Sequence, residues 1–399
     1  MSAPAAQPDK VSYSVSVGYL RAFVTLLVLA HHAVLAYHPY APPPPASLVA
    51  LPRWWEAFPV VDSARWGGFA VLVGFNDIFF MSLMFFLSGL FVWNSLARKG
   101  AGSFARARWR RLGVPFFAAV AVISPLAYSA TYAQISAHPS FGGFARQWLS
   151  LGEWPSGPAW FVWVLLVFGW LAAFFFWLAP KWGESLGRLA SSASRRPARF
   201  FLLVLAASAV VYIPIASAFG SMAWTGWNPF VFQTSRFLHY FVWFLAGVAV
   251  GVWGLGRGLL ARDGNLARRW WLWTLRAMFA FGLATVIAMV ALSAHGSPQL
   301  WEAVGGVGFV LSCAASSFCF LAVFTRFVGK RIRVFDSLTA NAYGMYLIHY
   351  AFVAWLQYSL LKIALPGVAK GSLVLAGTIL LSWAATAALR RIPAVGRVI

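Results

Sequence analysis

Arg21 and His32 are two ionisable residues within one long apolar run, from Tyr19 to Val34. On a helix, the eleven steps between them end within about 20° of the starting face, roughly 16 Å farther along the axis. Ionisable side chains in a membrane span are costly and usually face a cavity, a partner or a substrate. An imidazole has a pKa of about 6.5 and accepts a proton at neutral pH, which suits general-base work on a hydroxyl. The spacing therefore predicts a chemical site along this stripe of the helix.

The same two residues also fit a purely structural interpretation. Arg21 is expected about one turn inside the cytoplasmic end, where it could bind a phosphate or anchor the helix among lipid headgroups. His32 could bond to a neighbouring helix instead of reacting. His31 points to another face and is predicted to be a second polar group beside the site, where it could orient the reacting groups.

Several arginines open the third predicted span, in the segment 106–115. Arg108 and Arg111 are three residues apart and so share a helix face. Guanidinium groups bind phosphates in bidentate fashion, so this pair could hold an anionic cofactor that arrives from the cytoplasm. Anchoring by positive charge in a cytoplasmic loop also explains these residues.

Tyr343, Tyr346 and His349 follow one another at three-residue spacing in the ninth predicted span. His349 is expected near the middle of the membrane, where a buried histidine needs a partner. It therefore either lines the cavity or bonds to another helix, and the sequence leaves both interpretations open.

The composition indicates an integral membrane protein. Apolar residues make up 61% of the 399 positions and charged residues only 10%, and apolar stretches long enough to cross a bilayer recur throughout. The net charge of +22 would suit nucleic-acid binding, but no basic folded domain exists to carry that function, and we expect no nucleic-acid partner. Cys313 and Cys319 offer neither a disulfide framework nor a metal spacing, so no metal site is expected.

The pattern of apolar stretches predicts an all-α bundle of about ten membrane-spanning helices in a single membrane domain, 1–399. The predicted spans are 17–37, 77–96, 112–133, 159–179, 201–219, 237–256, 272–294, 302–325, 337–361 and 371–389. Lys and Arg fall mainly in alternate loops. Positive-inside bias then makes both tails, 1–12 and 390–399, cytoplasmic.

Two loops on the outer side, 38–76 and 134–158, are longer than connectors need to be. The first contains a polyproline stretch at 42–45 and then the segment 51–58, which is expected to form a short helix on the interface. Such loops could form a lid or an acceptor site, and irregular caps on the bundle are the alternative.

These motifs resemble those of the acyltransferase-3 family, integral-membrane enzymes that move acyl groups onto extracytoplasmic glycans and related acceptors. Four features match in order, and a segment beginning at Trp160 is similar to the family's tryptophan-rich fourth span. The four are Arg21 with His32, Phe85 to Gly89, Arg108-x-x-Arg111 before Pro115, and Tyr343-x-x-Tyr346-x-x-His349. The resemblance runs from about residue 13 to about residue 385, which is nearly the whole chain.

The resemblance implies a membrane O-acyltransferase without a permanently bound cofactor. An acyl-CoA-type donor would enter from the cytoplasm as co-substrate, with its phosphates against Arg108 and Arg111. Its acyl group would reach the stripe of Arg21 and His32, where His32 either deprotonates the acceptor hydroxyl or carries the acyl group itself. The candidate catalytic residues are His32, Arg21 and His349. The candidate substrate contacts are His31, Tyr343 and Tyr346.

The sequence departs from the family pattern at two acidic positions. Many members carry an Asp three residues before the first-span Arg, where this chain has Gly18, and a Glu after the fourth-span tryptophans, which is absent here. A carboxylate that orients His32 is therefore not identified. The pattern is closer to the glucan-modifying, succinyl-transferring branch, although the choice between acetyl, succinyl and other acyl groups stays open.

The resemblance further implies the cytoplasmic (inner) membrane of a bacterium. The partners would be the lipid bilayer, the donor and an extracytoplasmic carbohydrate or glycolipid, and a homo-oligomer is compatible with the sequence. A transporter or flippase is the alternative, with Arg21 and His32 as a binding or proton-relay pair. No pair of matched broken spans in two halves of the chain supports that alternative.

Overall fold

The computed structural model describes residues 8–293 and 295–399, and for residues 8–14 only the backbone is considered. Its first helix, α1, covers Pro8–Val34. The helix therefore begins within the predicted cytoplasmic tail, 1–12, of which residues 1–7 lie outside the described part. Proline is favourable in the first turn of a helix, which explains the early start at Pro8.

Long helices make up most of the chain. They are α2 (Gly68–Gly89), α8 (Trp160–Leu178), α10 (Pro197–Phe219), α11 (Arg236–Trp253), α13 (Trp270–Ser293), α14 (Pro298–Phe327), α15 (Arg333–Ser359) and α16 (Gly367–Leu389). A further long helix, Ala101–Ile135, consists of α4 (Ala101–Arg108), α5 (Val114–Ala118) and α6 (Ser124–Ile135) joined by two π-helical segments, Trp109–Gly113 and Ala119–Ile123. Shorter helices are α3 (Val92–Lys99), α7 (Phe141–Ser150), α9 (Trp182–Ala190), α12 (Asn265–Arg268) and α17 (Pro393–Gly396).

The helical membrane architecture predicted from the sequence is confirmed. Within residues 8–293 and 295–399, nine helical segments are long and apolar enough to cross a membrane. α15 is not among them, although its 27 residues would extend roughly 40 Å. It carries polar residues that include Asn341, His349 and Gln357. From Trp160 onward the predicted spans agree with the helices to within about four residues at each end.

The predicted boundaries of the second and third spans are wrong. The second span was predicted at 77–96, whereas α2 begins at Gly68 and ends at Gly89. Asp77 therefore lies inside this helix, where an ion pair with Arg236 compensates its charge. The third was predicted at 112–133, but the helix already starts at Ala101, so its arginines are helical rather than in a loop.

The two long segments between helices, 35–67 and 136–159, contain structure that the sequence did not predict. α7 lies within the predicted loop 134–158, and the Ser140 side chain caps it by accepting from the Gly143 N–H at 3.1 Å. The predicted interfacial helix at 51–58 is only a short 3-10 turn, Trp54–Glu56. The chain also forms a β-hairpin, β1 (Trp224–Trp227) with β2 (Phe230–Gln233), in antiparallel register with Trp224 opposite Gln233. Among the described residues, this hairpin is the exception to the predicted all-α fold.

The motif Phe85 to Gly89 has a packing role where α2 crosses α11. A Cβ on Gly247 would lie 2.0 Å from the Phe86 carbonyl oxygen, and one on Gly251 would lie 2.0 Å from that of Leu90. From the other side, a Cβ on Gly89 would lie 2.2 Å from the Phe244 oxygen. Small residues at such spacing let two membrane helices come into backbone contact. This crossing holds the interior of the bundle together.

The bundle has two distinct ends. The basic end consists of the turns 191–196, 254–264 and 328–332, and is tied to α1 by the Ile332 N–H, which donates to the Tyr19 hydroxyl at 2.8 Å. The loop end consists of the segments 35–67 and 136–159 together with the β-hairpin. It is fixed to α16 by a buried ion pair in which Lys370 Nζ lies 2.6 Å from Asp62 Oδ2.

Candidate active site

The structure brings His32 of α1 together with His349 of α15. Nε2 of His349 lies 3.3 Å from Nδ1 of His32, and the two ring centroids are 5.1 Å apart. Of the two alternatives that the sequence left open for His349, the bond to another helix is thus observed, and its partner is the predicted reactive histidine. His349 is fully buried, whereas His32 keeps part of its surface accessible.

Main-chain carbonyl groups determine which nitrogen of each neutral imidazole carries the proton. Nδ1 of His349 lies 2.6 Å from the Tyr346 oxygen and donates to it, which leaves a lone pair on Nε2. Nδ1 of His32 faces that lone pair and also the Val28 oxygen at 2.9 Å, so it is likewise a donor. The lone pair of His32 is therefore on Nε2. This nitrogen has no hydrogen-bond partner within the described part of the chain, as a general base requires.

Further contacts hold the His32 backbone and ring in place. The Gln357 side chain of α15 donates to the carbonyl oxygens of His32 at 2.9 Å and Ala33 at 3.1 Å. These carbonyls belong to the last turn of α1, where intrahelical partners are missing. The Tyr350 ring packs edge-on against the His32 ring, with centroids 5.3 Å apart. His32 is thereby held by three residues of α15.

The loop end is bonded to the surroundings of this pair through Glu56. Its main-chain oxygen accepts from the Tyr128 hydroxyl at 2.8 Å and from the Tyr350 hydroxyl at 3.0 Å. The Glu56 carboxylate accepts from Asn228 at 3.5 Å, and burial raises the pKa of this carboxyl group. The first long loop is therefore bonded to the same tyrosine that packs on His32.

The segments of the loop end are also bonded to one another. Glu153 pairs with Arg53 and accepts from the Asn228 side chain at 3.1 Å, which joins both long segments to the turn of the β-hairpin. The Gln134 amide bonds to both main-chain polar groups of Val61, at 2.6 and 3.1 Å. The loop end is therefore a hydrogen-bonded assembly, and whether it acts as a lid, an acceptor site or a cap on the bundle stays a prediction.

Three arginines converge toward the basic end of the same interior. Arg21 is within electrostatic range of Arg108 and Arg111, and Tyr343 lies within range of both of the latter. The Tyr343 hydroxyl donates to the Arg111 oxygen at 2.7 Å, which joins α15 to the first π-helical segment. No carboxylate in residues 15–293 and 295–399 forms an ion pair with any of the three arginines. Converging unpaired guanidinium groups favour an anionic ligand.

The other predicted site residues have different surroundings. The Tyr346 hydroxyl bonds to the Pro158 carbonyl oxygen, so it joins α15 to the turn before α8. The His31 ring contacts His32 and Phe80, with centroids 5.3 Å away in each case, and its Nδ1 is buried without a partner. The Arg21 side chain is exposed and lies 5.9 Å from the Phe91 ring centroid.

Sequence reasoning missed a charged pair close to His31. Arg236 Nη2 lies 2.6 Å from Asp77 Oδ2, and Arg236 Nη1 donates to the Asp77 carbonyl oxygen at 3.1 Å. Arg236 is 3% exposed and Asp77 36%, and Asp77 is within electrostatic range of His31. The signal was present, since Asp77 is a lone acidic residue in the apolar run 68–89.

Tyr350 and Gln357 were missed as well. Tyr350 directly follows His349, and Gln357 lies about two helical turns beyond it. Their contacts with α1 depend on how α15 packs, which spacing alone does not reveal. Among the described residues, no group of three or more His, Cys, Asp or Glu side chains could hold a metal ion.

Comparison with known proteins provides one match. The model of the acyltransferase-3 family, described as an acyltransferase domain, matches residues 14–387. A search of curated proteins finds no match, and a search of solved structures finds none. The matched range contains the histidine pair and all three arginines.

Proposed function

The chain belongs to the acyltransferase-3 family of membrane acyltransferases, and from this premise we propose a specific reaction. In this reaction the protein transfers an acyl group from a cytoplasmic acyl-CoA-type donor to a hydroxyl group of an extracytoplasmic glycan or related acceptor. His32 Nε2 is the general base. A single domain carries the activity, in the cytoplasmic membrane of a bacterium.

This proposal assigns the basic end to the cytoplasm and the loop end to the opposite side. Basic turns are retained on the cytoplasmic side of membranes, which supports the assignment. α15 is then the ninth of ten spans. Its polar residues are tolerated because they have hydrogen-bond partners within the protein: His349 and Gln357 bond to α1, and Asn341 bonds to the main chain of its own helix and to Arg390. An even number of spans leaves both termini cytoplasmic.

The donor phosphates bind the arginines at the basic end. Arg21, Arg108 and Arg111 lie within electrostatic range of one another and have no carboxylate partner in the described residues from 15 onward. Guanidinium groups bind phosphate oxygens by paired hydrogen bonds. From this cluster the acyl arm extends along α1 toward His32, over the roughly 16 Å that separate Arg21 from His32 on the helix.

The chemical step is attack of the acceptor oxygen on the thioester carbonyl carbon. Nε2 of His32 takes the hydroxyl proton as the new C–O bond forms, and the C–S bond then breaks to release the thiolate of the donor. His349 Nε2 and the Val28 oxygen accept from Nδ1 of His32 and so hold the ring in its reactive orientation. General-base assistance of this kind contributes about 10²–10⁴-fold to a rate.

The free lone pair on His32 Nε2 is the single observation that carries this proposal. The same lone pair would also allow His32 to carry the acyl group, but direct transfer needs only one proton transfer and no covalent intermediate. Quenching with labelled donor and no acceptor separates the two routes. Label bound to the wild-type protein and absent from His32→Gln would identify the covalent route.

Sealed vesicles that hold the protein in a single orientation distinguish acyl transfer from transport of an unmodified substrate. Labelled acyl-CoA is supplied on the side of the basic end, and a hydroxyl acceptor on the side of the loop end. We expect label in the acceptor for the wild type and none above background for His32→Gln. Passage of intact, unmodified substrate without any covalent transfer would instead identify a transporter.

A further inference from the structure

A cavity of about 640 Å³ lies beside α1 at the basic end, away from the histidine pair. Its walls come from α1, the end of α14 and the start of α15. We propose that this cavity binds one anionic phospholipid, with the phosphate against Arg262 and Lys330 and an acyl chain along α1. The site is separate from the proposed donor site and goes beyond the proposed function.

The cavity and the proposed active site use opposite faces of α1. The α1 residues that line the cavity are Tyr19, Ala22, Phe23 and Leu26, which recur at the spacing of one helix face. Arg21 is two residues from Tyr19, and therefore about 200° around the helix. His32 shares the face of Arg21. A ligand in this cavity therefore lies against a different face of α1 from the one that carries His32.

The deep part of the cavity is apolar. Phe23 packs against Phe320 and Phe324, with ring centroids 5.5 and 5.4 Å apart, to form one wall. At the rim, Phe327 is 59% exposed, Ile332 51% and Phe335 45%. Exposed aromatic and aliphatic surface of this kind is suited to an acyl chain.

The polar mouth of the cavity is formed by Arg262 and Lys330. A Cβ on Gly329 would lie 2.0 Å from Nη2 of Arg262, so the guanidinium lies directly against the backbone of Gly329. Arg262 Nε also donates to the Thr325 oxygen at 3.4 Å. Lys330 is exposed beside it. Two cations at one end and apolar walls at the other match an amphiphile with an anionic headgroup.

The lipid would brace the junction between the two helices of the active site. The Tyr19 hydroxyl donates to Asp336 Oδ1 at 2.9 Å and accepts from the Ile332 N–H at 2.8 Å, which joins α1 to the start of α15. Tyr19, Ile332 and Phe335 all line the cavity. Farther along, the same two helices carry His32 and His349.

Native mass spectrometry of the full chain tests the proposal. The purified protein is equilibrated in mixed micelles with equal amounts of dioleoylphosphatidylglycerol and dioleoylphosphatidylcholine, which share their chains and differ in net charge. We expect the wild type to retain the anionic lipid preferentially, and Lys330→Gln and Arg262→Gln each to lower that preference about fivefold. That figure corresponds to about 1 kcal/mol for each basic residue at an anionic surface.

Arg195→Gln is the matched control, because it removes an exposed positive charge from the same end but away from the cavity. It should leave the preference unchanged. Equal retention of both lipids by the wild type, or an unchanged preference in Lys330→Gln, would overturn the proposal. Since Lys330 is exposed, its substitution tests binding without endangering the fold.

Two competitors distinguish the lipid from other sources of phosphate. Displacement of the lipid by excess sn-glycerol 3-phosphate would reveal a simple phosphate site, and displacement by coenzyme A would assign the cavity to the donor. Either result contradicts the proposal. The measurement uses neither donor nor acceptor turnover, so its failure would not bear on acyl transfer.

Discussion

Nε2 of His349 lies 3.3 Å from Nδ1 of His32, although 317 positions separate the two residues in the sequence. A second histidine thus occupies the place that a carboxylate commonly takes beside a catalytic imidazole. In the described residues, the other partner of His32 Nδ1 is the Val28 carbonyl. Both partners accept hydrogen bonds, and both keep the lone pair of His32 on Nε2.

His349 is accordingly a positioning residue whose role depends on an acceptor atom. Replacing it by Leu removes the acceptor, and we expect kcat to fall about tenfold, as for loss of one hydrogen bond to a charged group. The KM for the donor should not change. His349→Gln keeps an amide oxygen that can accept, and should recover much of the lost kcat. Steady-state kinetics that show equal rates for Leu, Gln and wild type would refute this role.

The arginine cluster predicts a specific effect on donor binding. Arg108→Gln and Arg111→Gln should each raise the KM for acyl-CoA about tenfold, because each removes a charge-assisted contact to phosphate. Arg110→Gln is the matched control, since Arg110 lies in the same segment and is exposed. It should behave as the wild type.

The same KM comparison is repeated with acyl-pantetheine, a donor that has no phosphates. With that donor, the two cluster variants and the wild type should have the same KM. If the cluster variants bind acyl-CoA as tightly as Arg110→Gln does, the arginines only anchor the helix at the membrane surface.

Much of this architecture could be predicted from the sequence, but its contacts could not. Hydropathy located the helices because long apolar runs must satisfy their backbone groups internally. Spacing singled out His32 and His349 separately. Their mutual contact depends on the packing of α1 against α15, which a single sequence does not encode in any local pattern. The side chain that bonds to Nδ1 of His32 is His349, which comes from the opposite end of the chain.

The start of the second span is wrongly predicted for a similar reason, because it also depends on a contact between residues far apart in the sequence. Asp77 looks like the edge of a membrane segment, because an unpaired carboxylate inside one is costly. Its partner Arg236 is 159 positions away. Only the folded arrangement shows that the charge is compensated, and hence that the helix extends back to Gly68.

The Asp77–Arg236 pair predicts a measurable contribution to stability. Asp77→Leu leaves Arg236 buried without its partner, and we expect a loss of roughly 2–4 kcal/mol, somewhat less than for a fully buried pair because Asp77 is 36% exposed. Asp77→Leu combined with Arg236→Leu should recover most of that loss. Thermal unfolding of the purified protein provides the measurement, and a double variant no more stable than Asp77→Leu would contradict the expectation.

Glu56 predicts how stability depends on pH. Burial raises the pKa of its carboxyl group in the folded protein. The native state therefore binds the proton more tightly than the unfolded state does, and the group destabilises the fold increasingly as pH rises through its folded pKa. Glu56→Gln removes that cost and keeps an oxygen that can accept from Asn228.

Thermal unfolding of both proteins across a pH series tests this sign. The variant should be the more stable protein at pH values above the folded pKa, and the difference should vanish below the ordinary pKa of a glutamate. A difference that stays constant with pH, or that grows as pH falls, would show that burial does not govern this carboxyl group.

The central claim is that His32 Nε2 removes the proton from the acceptor hydroxyl. The most direct measurement is the rate of acyl transfer from labelled acyl-CoA by purified His32→Gln, compared with His31→Gln as the control on the adjacent residue. We predict that His32→Gln loses about 10²–10⁴-fold in kcat while folding normally and binding the donor as before. His31→Gln should retain a much larger fraction of the activity. A folded His32→Gln protein that transfers acyl groups at close to the wild-type rate would contradict the account.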